Sequence, residues 1–510
     1  MERDREQGGR VQLELTDRAQ PVEWSAEILL PDYRSEISRL LWVRPTFLPP
    51  QHFVGGGKAE LSGAVRYHIL YVGPDGALYS TESEENYGFS VPLEMPAGFA
   101  GGVELTADLT PDAVISRVTG PRKLSVRCRL HARICGYGER ETAPRIKGES
   151  DGREPHRLCD VAECGRVAVA NPEYFTVSDR FDPEGGEGEL RVIAANGNVL
   201  LSEVNAAGGS IRCRGEAVIT LLLCREETAG EAGMPFAVRR QIPFEQELVL
   251  EDATPEWTAR AMGEIGEIRT AVEDGQIALE VQGVLWGEGQ TEDSVILCRD
   301  LYLPGKTADC RMGEVPLWHP TLCEDRHFTV SGERSLAEAG IPADAVLLYT
   351  VADAEMGERE ITGSGTVLSG QIHCHTLYTS GGEFAVGELT LPFRTVLEGK
   401  CDSVHVSCRV PDCRLTVSRE AVRADAEISL ALRGCGYAPI QVVAEATLLP
   451  GESRPRADLE ICYPAARESL WDVGKRYGVS PEELAAANGI GADAPGEADS
   501  LAGVRYLLIP

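Results

Sequence analysis

The chain has 510 residues, 43% of them hydrophobic, so it can bury real cores, and a length like this divides into roughly three to four domains. With 49 basic and 80 acidic residues its formal charge is -31; a surface that acidic repels phosphate backbones and anionic lipid, which argues against nucleic acid and membrane surfaces as partners. Residues 1–150 hold 18 basic and 21 acidic side chains, leaving -28 on the remainder, so a partner seeking a neutral or basic face would find it in the first third.

The opening MERDREQGGRVQLELTD is charged and has no apolar run, so neither a signal peptide nor an anchor is expected, and the expected compartment is the cytosol. No stretch reaches the apolar length that a bilayer requires, so membrane insertion is not expected. The 15 cysteines include no CxxC pair, and the tightest groupings are Cys159/Cys164 and Cys408/Cys413. In a reducing compartment packed thiols are the expectation, with zinc as the sharper alternative.

From residue 54 onward a pattern recurs at a period near 150 residues: VGGGKAELSGAVRYHILYV at 54–72, AGGSIRCRGEAVITLLLC at 207–224, and SGSGTVLSGQIHCHTLYT from about 363. The aligned glycines are Gly63, Gly215 and Gly370. Each copy then reaches an apolar-Pro-apolar step, at Pro92, Pro243 and Pro392; proline cannot donate to a ladder and belongs at strand starts or edges. Each closes with an alternating strand. In KLSVRCRLHARICGYG (123–138) Leu124, Val126, Cys128, Leu130 and Ile134 share one face, and Arg127, Arg129, His131 and Arg133 the other. QIALEVQGVLW (276–286) and DAEISLALRGCGY (425–437) repeat the alternation, and Cys135-Gly136-Tyr137 returns as Cys435-Gly436-Tyr437. Period two with one polar face means an antiparallel sheet packed on one side. EYFTVSDRF (173–181) and RHFTVSGER (326–334) each introduce the next copy.

The expected fold is therefore mainly β: three repeated, sandwich-like antiparallel units over 1–160, 170–305 and 322–450, then a small α+β domain over 459–510. A period this long means domain triplication, not a solenoid.

The tail SLWDVGKRYGVSPEELAAANGI (469–490) reads as two capped helices. Ser469 caps the first with Asp472 three residues on; Leu470, Val473 and Tyr477 share a face, and Gly478 stops it. Ser480, Pro481 and Glu483 open the second, and Asn488-Gly489 ends it. Strands are expected at LEICYP (459–464) and VRYLLIP (504–510), giving a βααβ order.

That order, with the LWD, KRYG, Val, Leu, Asn spacing and the terminal LLIP, resembles the LysM family. The resemblance implies binding of N-acetylglucosamine-containing polymers such as peptidoglycan, in a groove between two loops. Those loops map to Ala466, Arg467, Glu468, Ser469 and Leu470, and to Asn488, Gly489 and Ile490, with Trp471 at the edge. Arg467-Glu468-Ser469 replaces the family's usual Gly-Asp-Thr-like turn, and an acidic insert, GADAPGEADS, precedes the last strand. Upstream, ILLPDYRSEISRLLWVRPTF (28–47) and the repeated strands resemble the SPOCS family of spore-forming Firmicutes. SPOCS units followed by one LysM resemble clostridial spore-coat morphogenetic proteins that bind the basal-layer ATPase of the coat. That implies a non-catalytic scaffold in the mother-cell cytosol, at the forespore surface or coat, recruiting the ATPase or another coat protein.

Other candidates are plainer. Arg127, Arg129, His131 and Arg133 form a candidate docking stripe for an acidic partner, weighed against a solvated sheet face. His373-Cys374-His375 brings at most two ligands to one face, since a strand points its cysteine the other way, so no metal is expected there. GxSxG, HExxH and Walker-type motifs are missing, so neither a catalytic residue nor a cofactor is assigned.

Overall fold

Alternating sequence makes strands, and in the computed structural model strands carry most of the chain. The structure describes residues 9–95, 99–183, 188–226, 233–362, 365–399, 401–451, 459–465, 467–490, 501 and 503–510. The first unit holds β1 (Arg10–Leu29), β2 (Arg39–Phe47), β3 (Gln51–Gly55), β4 (Lys58–Val72), β5 (Leu78–Pro92), β6 (Phe99–Gly120) and β7 (Lys123–Glu141). A short β8 (Arg145–Lys147) leads to the second unit, with β9 (His156–Phe181), β10 (Glu189–Ala207), β11 (Ser210–Glu226), β12 (Phe236–Val249), β13 (Thr258–Glu273) and β14 (Gln276–Tyr302). The third has β15 (Lys306–Ser335), β16 (Val346–Thr362), β17 (Gly365–Ser380), β18 (Glu383–Glu398), β19 (Ser403–Val417) and β20 (Ala421–Pro450). The tail follows as β21 (Glu460–Cys462), α1 (Leu470–Tyr477), α2 (Pro481–Asn488) and β22 (Leu507–Ile509).

Every unit folds the same way. One antiparallel sheet places the closing strand between the opening strand and the strand before it: β1-β7-β6, β9-β14-β13 and β15-β20-β19. The other is built on β4, β11 and β17, with β5, β12 and β18 as one edge. In the first unit β2 and β3 pair along the same side of β4, interrupted at Pro49-Pro50, where β10 and β16 run unbroken. The two sheets bury their apolar faces on each other, as Val65 and Tyr67 of β4 do with Val126 and Leu130 of β7, giving one core per unit.

The recurring glycines share a place in the ladder. Gly63, Gly215 and Gly370 each lie directly across the ladder from an aromatic residue, Tyr87, Phe244 and Phe393. A Cβ on Gly63 would meet the Tyr87 hydroxyl at 2.5 Å, and one on Gly370 the Phe393 ring at 2.4 Å, so there the ring covers the bare backbone, whereas on Gly215 a Cβ would meet the Leu200 carbonyl oxygen at 2.3 Å. The register also corrects the alignment of the prolines. Pro243 and Pro392 directly precede those aromatics on edge strands, but Asn86 precedes Tyr87, and Pro92 instead ends β5 opposite Lys58.

The expected boundaries shift for a physical reason. Residues 161–169 and 306–321, expected between units, lie within β9 and β15, and the FTVS stretches are the second halves of those strands. The first halves pair with the ends of β14 and β20, extending each unit into a ribbon beyond its own sandwich. An isolated ribbon leaves apolar faces open, and here the copies close them on one another. Val11 and Leu13, Ala162, Cys164, Val295 and Leu297, and Val315, Leu317 and Val442 form one core from all three units. A second, from the other sheets, joins Leu70, Val72 and Leu78 to Ile193, Leu222 and Cys224, and to Leu348, Tyr349, Val351 and Leu377.

Polar pins fix these junctions. The Gln12 amide donates to the Val167 carbonyl at 2.8 Å and accepts from the Val167 N–H at 2.7 Å, as a ladder residue would. Trp318 of the third unit donates from Nε1 to the Gln12 carbonyl at 3.1 Å, packs on Tyr137 at 5.3 Å, and fills the space above Gly165. At the other junction Arg44 donates to Asn196 and pairs with Asp353 at 2.8 Å, tying one residue from each unit. Burial works against charge there, yet Arg44 overrides it and holds the Asp353 carboxyl below the usual range.

Replacing Trp318 by Ala removes a side chain that is 2% exposed and touches all three units. The expected cost is about 3–5 kcal/mol, read as a lower denaturation midpoint, with small-angle scattering showing the units parting.

Candidate functional site

The tail closes its own small core, with Leu470, Val473, Val479, Leu484 and Leu507 buried. The caps fall where the sequence places them. Ser469 Oγ accepts from the Asp472 N–H at 3.2 Å while Asp472 accepts from the Ser469 N–H at 2.9 Å, and Gly478 takes φ +69°. Ser480 accepts from the Glu483 N–H at 3.0 Å, and Asn488 both donates to and accepts from the Leu508 backbone, tying α2 to β22.

Of the residues expected to line a groove, Arg467 and Gly489 are exposed, and Asn488 and Ile490 are half-buried. Ser469 and Leu470 are buried, and Glu468 is turned inward onto Arg476 and the Ala465 N–H. Ala466 and the GADAPGEADS insert lie outside the described residues. Trp471 is not at a groove edge. It is 3% exposed and donates from Nε1 to Asp300 Oδ2 at 2.8 Å, edge-on to Tyr302 with centroids 4.8 Å apart. Lys475 reaches both Asp300 oxygens at 2.7 Å. The Tyr302 hydroxyl donates to the Val479 carbonyl at 2.6 Å, against Gly474, where a Cβ would stand 2.9 Å from that hydroxyl. One face of α1 thus packs on the tail's core and the other docks on the end of β14.

The basic stripe divides. Arg127, Arg129 and His131 are exposed on β7, and Asp112 pairs with both Arg129 and His131. Arg133 turns away into the protein. His373 and His375 pair outward with Glu355 at 3.0 Å and Glu388 at 3.6 Å, while Cys374 points inward to Cys413, 3.4 Å away.

Arg133 leads to a constellation that spacing along the chain did not suggest. A cavity of about 740 Å³ lies where the three units meet, lined by Asp108, Arg133 and Cys135 from the first, Trp286 and Glu288 from the second, and His405 from the third. At its wall Cys135 Sγ stands 3.0 Å from His405 Nδ1, Asp17 Oδ1 is 3.8 Å from that sulfur, and Arg133 donates to both His405 Nδ1 at 3.1 Å and Asp17 at 3.2 Å. Ser403 donates to Asp17 Oδ2 at 2.9 Å. Beside it Glu288 joins Arg433 at 2.7 Å and Arg260 at 3.1 Å, all three nearly buried. Asp108 accepts from the Ser407 hydroxyl at 2.5 Å, whereas Trp286 Nε1 has no hydrogen-bond partner among the described residues.

Burial pushes the Cys135 thiol up to about 12, and burial, then Arg433 and Arg133, hold His405 well below the usual imidazole range. Both are neutral near pH 7, so the pair is not the thiolate–imidazolium that a nucleophilic cysteine needs. The signal in the sequence was the loss of alternation at Ile134-Cys135-Gly136-Tyr137, all buried on consecutive positions. Its recurrence as Cys435-Gly436-Tyr437 marked where central strands enter the junction.

Among the described residues no helix is long and apolar enough to cross a membrane. Comparison with family models, with curated proteins and with solved structures found no match.

Two outcomes are expected. His405 is buried uncharged, so below an unfolded imidazole pKa of about 6.5 the unfolded chain takes up a proton that the folded chain refuses. Stability should then fall as pH drops, by about 1.4 kcal/mol per pH unit until the folded pKa is reached, and His405→Gln should remove that slope in denaturation curves. Asp300→Ala removes the acceptor shared by Trp471 and Lys475. Amide exchange across residues 471–479 should rise in that variant while the β units stay protected.

Proposed function

We propose that this chain is a non-catalytic assembly scaffold of the SPOCS–LysM kind, gathering spore-coat or basal-layer proteins, the coat ATPase foremost, at the forespore surface from the mother-cell cytosol. The observation that carries this reading is the joining of the tail to the triplicated frame. Asp300 and Tyr302 hold one face of α1, and Arg467 and Gly489 remain outward. A module fixed on a preorganised body presents its surface at little entropic cost, and several modest contacts on one chain raise the effective concentration of the next. The neutral thiol–imidazole pair at the central cavity fits a role without turnover.

A second reading, binding to peptidoglycan, draws on the exposed rings of Tyr463 and Tyr506, 74% and 56% accessible beside β21 and β22. Aromatic faces of this kind serve as contact platforms on small modules.

Two binding measurements separate the readings. The full chain should retain the purified coat ATPase in a pulldown, and a chain ending before residue 459 should lose it; equal retention by both would remove the tail from the mechanism. Sedimentation with purified cortex or cell wall should leave the chain in the supernatant, and pelleting abolished by Tyr463→Ala and Tyr506→Ala would favour the glycan.

A further inference from the structure

The wall of the central cavity brings together three side chains of the types that hold a borderline-soft divalent ion: a thiol, an imidazole and a carboxylate. Asp17 comes from β1, Cys135 from β7 and His405 from β19, so two units contribute. One ligand atom from each lies within 4.8 Å of the other two. Around a tetrahedral zinc ion, with bonds of about 2.0–2.3 Å, ligand atoms stand about 3.5 Å apart. Cys135 Sγ is 3.0 Å from His405 Nδ1 and 3.8 Å from Asp17 Oδ1, which brackets that separation. Among the described residues no other group of His, Cys, Asp and Glu meets this spacing.

The hydrogens now in this space show how an ion would fit. Arg133 Nε–H donates to His405 Nδ1 at 3.1 Å, so Nδ1 carries the lone pair and Nε2 the hydrogen, facing Asp17 Oδ2 at 3.7 Å. An ion at Nδ1 therefore needs no change of tautomer. It takes the place of one Arg133 hydrogen bond, while the Nη2 of that arginine keeps its hold on Asp17 at 3.2 Å. The thiol's contact to Asp17 Oδ1 is long at 3.8 Å, and a metal–thiolate bond would replace it. The Ser403 hydroxyl, 2.9 Å from Asp17 Oδ2, orients the carboxylate from behind. Cys135 and His405 also line the cavity, which leaves the fourth position open to water or to a small ligand.

We propose that Asp17, Cys135 and His405 form a binding site for a zinc-class divalent cation, bridging the first and third units and open to the central cavity. Binding forms the Sγ–metal, Nδ1–metal and Oδ1–metal bonds. The Cys135 thiol breaks its S–H bond and its proton leaves to water, and no electron is transferred. The ion's positive charge is met by the new thiolate and by the Asp17 carboxylate, which it shares with the Arg133 guanidinium. The site is independent of the scaffold reading, because it uses neither the tail nor its contacts.

The test uses the full chain, stripped with a chelator, kept reduced and titrated with Co²⁺, followed by Zn²⁺ displacement. One equivalent should bind with a near-ultraviolet thiolate-to-cobalt absorption band, and Zn²⁺ should abolish the band. Cys135→Ser should lose the band, and His405→Gln should bind at least about 10-fold more weakly. Arg133→Gln, which removes the competing hydrogen, should bind at least as tightly as the parent chain. Cys374→Ser, which breaks the rival thiol pair with Cys413, should leave the titration unchanged. A parent chain without the band, or a band that survives Cys135→Ser, would overturn the proposal, and the first outcome needs no variant to fold.

Discussion

Each β unit in this protein carries more apolar surface than its own sandwich can bury, and the rest of the structure follows from that. The opening and closing strands run past the sandwich as ribbons, and Val11, Leu13, Val295, Leu297, Val315 and Leu317 would face water if a copy stood alone. Burying apolar area is worth about 25 cal/mol per Å², and the three copies bury it at cores they share. The Gln12 amide, spliced onto Val167 like a missing strand residue, and Trp318 above Gly165 set the register of that meeting.

Closing three sandwiches around a common region also brings charge inside. Glu288, held by Arg260 of its own unit, reaches across to Arg433 of the third, and Asp353 pairs across units with Arg44; removing one partner would strand the other in low dielectric. Hydrophobic cores define where the units touch, and these pairs define which orientation they adopt. The central cavity lies where the three units meet. Ligand-type side chains from separate units meet there, something no single unit could arrange.

The tail adds a second kind of constraint. The positions of α1 that its own core does not use, Trp471, Gly474 and Lys475, are spent on Tyr302 and Asp300. A short two-helix module thereby gains a fixed place on a large body, and Arg467 and Gly489 are left on its outward surface. Its stability and its orientation rest on different faces of one two-turn helix, so they can be altered separately by substitution.

Local patterns settled the elements. Period-two alternation gave the strands of β7, β14 and β20, recurring glycines marked the positions that face Tyr87, Phe244 and Phe393, and Ser469, Gly478, Ser480 and Pro481 set both tail helices, because caps and alternation depend on neighbours a few residues away. Tertiary structure alone decided that Arg133 leaves its stripe for Asp17 and His405, that Trp471 is a docking residue, and that β9 and β15 run unbroken through the expected boundaries. Those outcomes depend on what lies opposite in space, across separations such as the 270 residues between Cys135 and His405. A single strand's alternation names two faces; only the packed neighbours determine which of them meets water.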